Sequence, residues 1–106
     1  MPPGEAARYR LTPAALADLD DIWRFSVETW SVAQADCYVD DLIRVYGMIA
    51  AVPTLAREHR EFDPPVRIHT YQSHLIIYTQ SGDHVAILRL LGGQQDWLAI
   101  LKAADI

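Results

Sequence analysis

The pattern of apolar and polar positions divides the chain into a helical first half and a second half that alternates like β-strands. Residues 8–11 are a candidate for a short strand. Thr12 and Pro13 then indicate a helix start, because threonine caps free backbone N–H groups and proline fits the first helical turn. Apolar residues follow at helical spacing on one stripe to about residue 30, namely Leu16, Leu19, Trp23, Val27 and Trp30. The pattern therefore predicts a strand followed by an amphipathic helix.

A second helix is predicted directly after the first. Ser31 and Gln34 have the spacing of a capping box, in which two side chains satisfy free N–H groups at a helix start. An apolar seam then alternates steps of three and four residues through Ala35, Tyr38, Leu42, Val45, Ile49 and Val52. Pro53 ends the helix. Because almost no linker separates the two helices, we expect them to form an antiparallel hairpin.

The second half begins with an irregular, polar segment over residues 53–65 and then changes to a period of two, which is typical of strands. The predicted strands cover residues 66–71, 74–80 and 84–91. Gly82 lies in the turn between the last two strands, where glycine can adopt a positive φ. Gly92 and Gly93 end the last strand, and residues 96–103 are long enough for a short helix.

Both faces of the predicted strands are apolar. Alternation places Leu75, Ile77, Ala86, Leu88 and Leu90 on one face, and Ile76, Tyr78, Val85, Ile87, Arg89 and Leu91 on the other. The helical hairpin can cover one face, so the other must be covered by the C-terminal segment or by another protein. The expected fold class is therefore α+β: an N-terminal strand, an antiparallel helical hairpin, a three-stranded antiparallel meander that completes a small sheet, and a short C-terminal helix or tail.

Composition narrows the class of protein. The 106 residues suit one domain spanning 1–106, in which residues 1–7, rich in proline, glycine and alanine, are expected to be flexible. The formal charge of −5 argues against broad electrostatic binding of nucleic acid. A single cysteine, Cys37, suits a reducing cytoplasm, and the chain has neither a signal-peptide h-region nor an apolar run of membrane-spanning length. We expect a soluble cytoplasmic protein.

No metal or cofactor site is expected. The histidines at positions 59, 69, 74 and 84 have no paired spacing with cysteine or carboxylate that would bring three or four metal ligands together. Gly92 and Gly93 follow a strand and precede a helix, but the break lacks the third glycine and the lysine of a phosphate-binding loop.

Basic residues on the predicted sheet offer the strongest candidate for chemistry. Arg67, His69 and Tyr71 alternate onto one face, and Arg89 points from a neighbouring strand. Cations, a histidine and a tyrosine near one another could bind a phosphodiester and move its protons, as an RNA-cleaving site requires. The alternative is structural: Arg89 pairs with a carboxylate such as Asp96, and the tyrosines fill the sheet.

Three segments together resemble the ParE branch of the RelE/ParE toxin superfamily: LTPAALADLDDIWRFSVETW, AQADCYVDDLIRV and VRIHTYQSHLIIYTQSGDHVAILRLLGGQQDW. The resemblance covers nearly the whole chain and lies in the order of the elements as much as in any single motif. It implies the toxin half of a bacterial type II toxin–antitoxin module, which inhibits DNA gyrase and is neutralised by a ParD-like antitoxin in a hetero-oligomer. The sister RelE branch cleaves mRNA on the ribosome, which is the alternative activity.

The last predicted strand departs from the ParE-like pattern, in which arginine, two apolar residues, histidine, glycine and arginine follow one another. Arg89 matches the first arginine and Asp96 the usual acid. Gly92 stands in place of the histidine, and Gln94 in place of the second arginine. Few bases remain on the sheet, so inhibition by binding is favoured over RNA cleavage. A third interpretation is a toxin that has lost its activity and is retained as an antitoxin-binding partner.

The resemblance and the pattern together nominate residues for contact with an antitoxin or a target. They are Trp23, Trp30, Arg67, Tyr78, Arg89, Gln94, Asp96 and Trp97. The contacts are expected on the helix pair and on the edge or open face of the sheet. For Trp23 and Trp30 the alternative is membership of the core.

Overall fold

The computed structural model describes residues 8–93 and 95–103 and has the predicted α+β architecture. In these ranges a strand, two long helices, four further strands and a short helix follow one another. They are β1 (Tyr9–Leu11), α1 (Pro13–Thr29), α2 (Val32–Ala51), β2 (Glu58–His59), β3 (Val66–Tyr71), β4 (His74–Ser81), β5 (His84–Gly92) and α3 (Trp97–Ala103). The predicted flexibility of residues 1–7 lies outside the described residues.

The two long helices begin where the sequence predicts, because their capping residues are well placed. The Thr12 hydroxyl accepts the Ala15 N–H at 3.1 Å, and the Ser31 hydroxyl accepts the Gln34 N–H at 3.0 Å. The Thr12 hydroxyl also donates to the Leu88 carbonyl at 2.8 Å, which fixes the start of α1 against β5. No helix in the described part of the chain has the length and apolar character needed to span a membrane.

The buried face of α1 differs from the predicted stripe. Ala15 and Ile22 are buried, whereas Leu16 and Trp30 are exposed. The reason is that α1 packs against both α2 and the sheet. The residues of the predicted stripe face α2 and solvent. The residues one position before them in sequence, such as Ala15 and Ile22, face the sheet.

The apolar seam predicted for α2 is buried at Leu42 and Ile49, whereas its last member, Val52, is exposed. Tyr46, which the seam did not include, is fully buried and packs edge-on against Tyr9, with the ring centroids 5.5 Å apart. Tyr46 lies four residues after Leu42 and three before Ile49, so helical spacing contained this core residue although the predicted seam passed through Val45.

The strands form one sheet in the order β1-β5-β4-β3-β2. The meander β3-β4-β5 is antiparallel, as predicted, and β1 pairs in parallel with β5. The turn before β5 contains Gly82, whose φ of +62° is in the left-handed region that glycine adopts without strain. β2 corrects the prediction of an irregular segment over residues 53–65, because Glu58 pairs with Arg67 at the edge of β3. A strand of two residues has no period that a sequence pattern could reveal.

A β-bulge in β5 changes which side chains share a face. The ladder between β4 and β5 slips at Leu88, which has no partner in β4, so the alternation shifts beyond it. Leu90 therefore packs on the helix side of the sheet and Leu91 on the opposite side. The faces predicted for these two residues are reversed.

Both faces of the sheet are covered, as the apolar strands require. The two long helices cover one face with Ala15, Ile22, Leu42, Tyr46 and Ile49. On the other face, the loop before β3 contributes Phe62 and α3 contributes Leu101, which is 2% exposed. The sequence left open whether the C-terminal segment or another protein covers this face, and in the structure the C-terminal segment does so together with the loop.

Two buried tyrosines are expected to respond in opposite ways to loss of their hydroxyl groups. Among the described residues, the Tyr46 hydroxyl has no hydrogen-bond partner, and burial raises the pKa of this tyrosine. The Tyr78 hydroxyl donates to the Pro53 carbonyl at 2.7 Å and accepts the Ala56 N–H at 3.3 Å. We expect Tyr46→Phe to raise the free energy of unfolding by about 1 kcal/mol and Tyr78→Phe to lower it by about 1 to 2 kcal/mol. Urea denaturation measures both, and a loss of stability in Tyr46→Phe would contradict the prediction.

Candidate functional site

Asp18 of α1 holds the end of β5. Its carboxylate accepts the Arg89 Nε–H at 2.7 Å and an Nη2–H at 3.1 Å, and it also accepts the Leu90 N–H at 2.9 Å. The side chains of the ion pair are largely buried, with Asp18 14% and Arg89 23% exposed. The hydrogen bonds to Asp18 raise the pKa of Arg89, which keeps the guanidinium charged. Arg89 is thus engaged by α1 and not by Asp96, the acid that the sequence suggested.

The sequence contained a signal for Asp18 that the prediction did not use. Asp18 lies between Ala15 and Ile22 at helical spacing, so a carboxylate stands on the buried face of α1. A charge in that position requires a partner from another element. The identity of the partner could not be inferred from the pattern, because Arg89 lies 71 residues away.

Arg67 and Tyr78 both bind the segment that follows α2. Arg67 Nη1 donates to the Ala56 carbonyl at 2.7 Å. Tyr78 is fully buried, and its hydroxyl binds the same segment at Pro53 and Ala56. None of the surface of Tyr78 reaches solvent in this structure, and its contact with a partner stays a prediction.

The four residues considered for RNA cleavage lie on two strands that are not neighbours in the sheet. Arg67, His69 and Tyr71 lie on β3 and Arg89 lies on β5, with β4 between them. Arg89 is opposite Ile77 in the β4–β5 ladder, which separates it from β3 by about 10 Å at ordinary strand spacing. Its guanidinium is held toward α1 by the ion pair. Arg67 and Arg89 are thus engaged in separate contacts.

The outer surface of the helical pair carries an apolar row that we call the interhelical stripe. It consists of Leu16, Trp23 and Val27 of α1 and Val32 and Ile43 of α2, which recur at helical spacing. The Trp23 Nε1–H donates to Asp36 of α2 at 2.9 Å, so the two halves of the stripe lie side by side. Leu16, Val32 and Ile43 are exposed. Trp23, a predicted contact residue, is half-buried in this stripe and does not belong to the core of the sheet.

The excess negative charge of the chain lies on the helical pair. Residues 13–51 contain seven acidic and two basic side chains, a net charge of −5, which equals the formal charge of the whole chain. The two basic residues are already paired on their own helices, Arg24 with Asp20 and Arg44 with Asp41. The helical surface therefore combines exposed apolar groups with excess negative charge.

A groove of about 300 Å³ lies where the end of α1, the start of α2 and the β3–β4 turn meet, and we call it the flank groove. Phe25, Trp30, Tyr38 and His74 are among the residues that line it. The Tyr38 hydroxyl lies 2.6 Å from Nδ1 of His74. Burial lowers the pKa of His74, so its imidazole is neutral near neutral pH and Nδ1 can accept a hydrogen bond from the phenol O–H. A second cavity, of about 200 Å³, adjoins the groove and shares Phe25 and His74 with it.

Gly92 and Gly93 connect β5 to the C-terminal segment. The Gly92 N–H donates to the Gln95 side-chain oxygen at 2.6 Å, and the Gly93 N–H donates to the Ser73 carbonyl at 2.8 Å. A Cβ atom at Gly92 would lie 3.3 Å from the same Gln95 oxygen. A larger residue at this position therefore requires only that a flexible glutamine side chain move.

The remaining predicted contact residues lie at the start of α3. Asp96 caps the helix by accepting the Ala99 N–H at 3.3 Å. Trp97 is half-buried and packs with the apolar cluster on the second face of the sheet. Both therefore have structural roles in placing α3. Gln94 lies outside the described residues.

Comparisons with known proteins agree on one family. The family model described as the ParE toxin of the type II toxin–antitoxin system parDE matches residues 9–97. Toxin ParE1 of Mycobacterium tuberculosis is 33% identical over 92 residues, which span 86% of this chain and 94% of the relative. Toxin ParE1 of Caulobacter vibrioides is 37% identical over 83 residues, which span 78% of this chain and 85% of the relative.

A solved structure has the same fold. It is described as the chromosomal ParDE TA system from P. aeruginosa, and its TM-score with this chain is 0.70. The superposition covers 83% of this chain and 97% of the other, at 22% sequence identity. At that identity the likeness concerns the arrangement of helices and strands.

Proposed function

The chain belongs to the ParE toxin family of type II toxin–antitoxin systems, and we propose that it inhibits bacterial growth by binding DNA gyrase and is neutralised by a ParD-like antitoxin. In this proposal the toxin acts in the cytoplasm, where gyrase and the antitoxin are found. The observation that carries the proposal is the interhelical stripe, an exposed apolar row on an acidic helical pair.

The interhelical stripe is the surface that we assign to the antitoxin. Exposed apolar side chains grouped on two neighbouring helices are typical of a protein-binding surface. An amphipathic antitoxin segment would bury the row, and basic residues at the edges of that segment would meet the excess negative charge of the helical pair. The stripe is free for this role because the core of the sheet is formed by other faces of the helices.

Inhibition by binding also agrees with the surroundings of the candidate catalytic residues. Arg89 is held by Asp18, and Arg67 is held by the Ala56 carbonyl. RNA cleavage needs proton-transfer and phosphate-binding groups around one phosphodiester, whereas an inhibitor that binds its target needs no such arrangement. We therefore place gyrase binding ahead of mRNA cleavage.

A supercoiling assay run beside a translation assay tests the target. We expect the purified chain to inhibit supercoiling of relaxed plasmid by gyrase and to leave cell-free translation unaffected. Equimolar antitoxin, the small protein encoded beside the toxin, is expected to restore supercoiling. Arrest of translation with cleaved mRNA and normal supercoiling would instead support the RelE-type activity. A chain that affects neither reaction, and does not slow growth when expressed alone, would be the inactive antitoxin-binding partner.

The Ile43→Lys variant tests whether the antitoxin and the target bind different surfaces of the toxin. The lysine places a charge within the stripe, so we expect at least about tenfold more antitoxin to be needed to restore supercoiling. Inhibition of gyrase by the variant alone is expected to be unchanged. Leu98→Lys, which adds the same charge at an exposed position of α3, is the matched control and should behave like the parent. Equal behaviour of the two variants would remove the stripe as the antitoxin surface.

A further inference from the structure

The flank groove is open to solvent although aromatic side chains line it. Phe25 is 65% exposed and Trp30 is 71% exposed, which makes them the two most exposed large apolar side chains of the described ranges. Neither belongs to the interhelical stripe. The cavity beside them, about 300 Å³, is at the lower end of the size at which proteins bind ligands. The groove therefore has both room for a long side chain and apolar surface that such a side chain would cover.

The charged residues around the groove are mostly acidic. Asp41 lines the groove itself and is paired with Arg44, and Asp18 and Asp21 line the adjoining cavity. The one arginine of these two linings is Arg89, whose Nε and Nη2 are already bound by Asp18. Asp21 has no ion-pair partner in the described part of the chain. Because burial lowers the pKa of His74, that side chain adds no positive charge near neutral pH.

We propose that the flank groove receives an arginine or lysine side chain from an extended basic segment of a protein partner. A cation beside Phe25 and Trp30 is attracted by the negative faces of both rings. The aliphatic stem of the same side chain covers apolar ring surface while its charged end reaches the carboxylate of Asp21 in the adjoining cavity. Nucleic acid does not fit, because its phosphates would meet the acidic helical pair.

This contact goes beyond the proposed antitoxin docking, because the groove and the interhelical stripe share no residue. It defines a second point of contact on the helical pair and selects partners by charge. The proposal depends neither on the identity of the target nor on the stripe. Its failure in the test below would leave both of those assignments untouched.

Binding of a short peptide to the full chain tests the proposal. The probe is Ac-Gly-Arg-Ala-Arg-Gly-NH2, and its control carries citrulline in place of arginine, which keeps the shape and removes the charge. We expect the arginine peptide to shift the amide resonances of Tyr38 and Ser73, and to bind about tenfold more tightly than the citrulline peptide. Equal affinities would overturn the proposal, because the groove would then not select a cation.

Variants of the groove locate the binding. Phe25→Ala and Trp30→Ala each remove one aromatic wall, and because both side chains are exposed the core stays intact. Each is expected to weaken binding of the arginine peptide by roughly five- to tenfold. Met48→Ala, at an exposed apolar position of α2 outside both the groove and the interhelical stripe, is the matched control. An equal loss in Met48→Ala, or no loss in the two aromatic variants, would mean that the peptide binds the acidic helices without the groove and would overturn the proposal.

Discussion

An Arg89→Ala variant is expected to have a free energy of unfolding about 3 kcal/mol lower than that of the parent chain. The substitution removes both guanidinium hydrogen bonds from Asp18 and leaves this carboxylate largely buried with the Leu90 N–H as its remaining partner. A buried charge that loses its counter-ion is costly, because the unfolded state offers it water and the folded state does not. Urea denaturation measures the change.

The exposed ion pair between Asp20 and Arg24 is the matched control. It joins the same two residue types on the same helix, at 2.8 Å, but in solvent. We expect Arg24→Ala to change the free energy of unfolding by no more than about 0.5 kcal/mol. A double-mutant cycle on Asp18 and Arg89 should give a coupling energy of about 2 kcal/mol. If Arg89→Ala lowers the free energy of unfolding no more than Arg24→Ala does, the ion pair between Asp18 of α1 and Arg89 of β5 does not stabilise the fold.

Leu101→Ala is expected to lower the free energy of unfolding by about 3 kcal/mol. Leu101 packs with Ile77 and Leu91 on the second face of the sheet. A helix of seven residues is too short to persist alone, so α3 depends on this docking for its order. Loss of the side chain leaves a cavity against the sheet and loosens the helix that covers it. Urea denaturation gives the change, and amide hydrogen exchange across α3 should accelerate.

Leu98→Ala is the matched control for this prediction. Leu98 lies in the same helix but is 38% exposed, so we expect its truncation to cost no more than about 0.5 kcal/mol. Similar losses for the two leucines would mean that α3 is not docked as the structure has it. The second face of the sheet would then be open to a partner.

The helices and the meander could be predicted because their signals are local. Thr12 and Ser31 each accept an N–H group three residues ahead, so spacing in the sequence marks both helix starts. Alternation placed the bounds of β3, β4 and β5 within one residue of those in the structure. The family resemblance rests on the same ordered elements, and the comparisons confirm it.

The features of the fold and of the site that could not be predicted depend on contacts between residues distant in sequence. A linear pattern does not contain such contacts. The bulge at Leu88 reverses the faces of Leu90 and Leu91, and β2 is defined only by its pairing with β3. At the candidate site, the sequence singled out Arg89 but not the acid that holds it. It missed Phe25 because the groove that Phe25 lines is formed by three separate elements.

The parallel pairing of β1 with β5 has a consequence for the timing of folding in the cell. Tyr9 lies opposite Val85 and Leu11 opposite Ile87, so β1 pairs with a segment that leaves the ribosome much later. The contacts between α1 and α2 join segments that are adjacent in sequence, so the helical pair can form earlier. We therefore expect the nascent chain to display the stripe that we assign to the antitoxin before its sheet is complete. If that assignment holds, an antitoxin already present in the cell binds the toxin while it is still being synthesised.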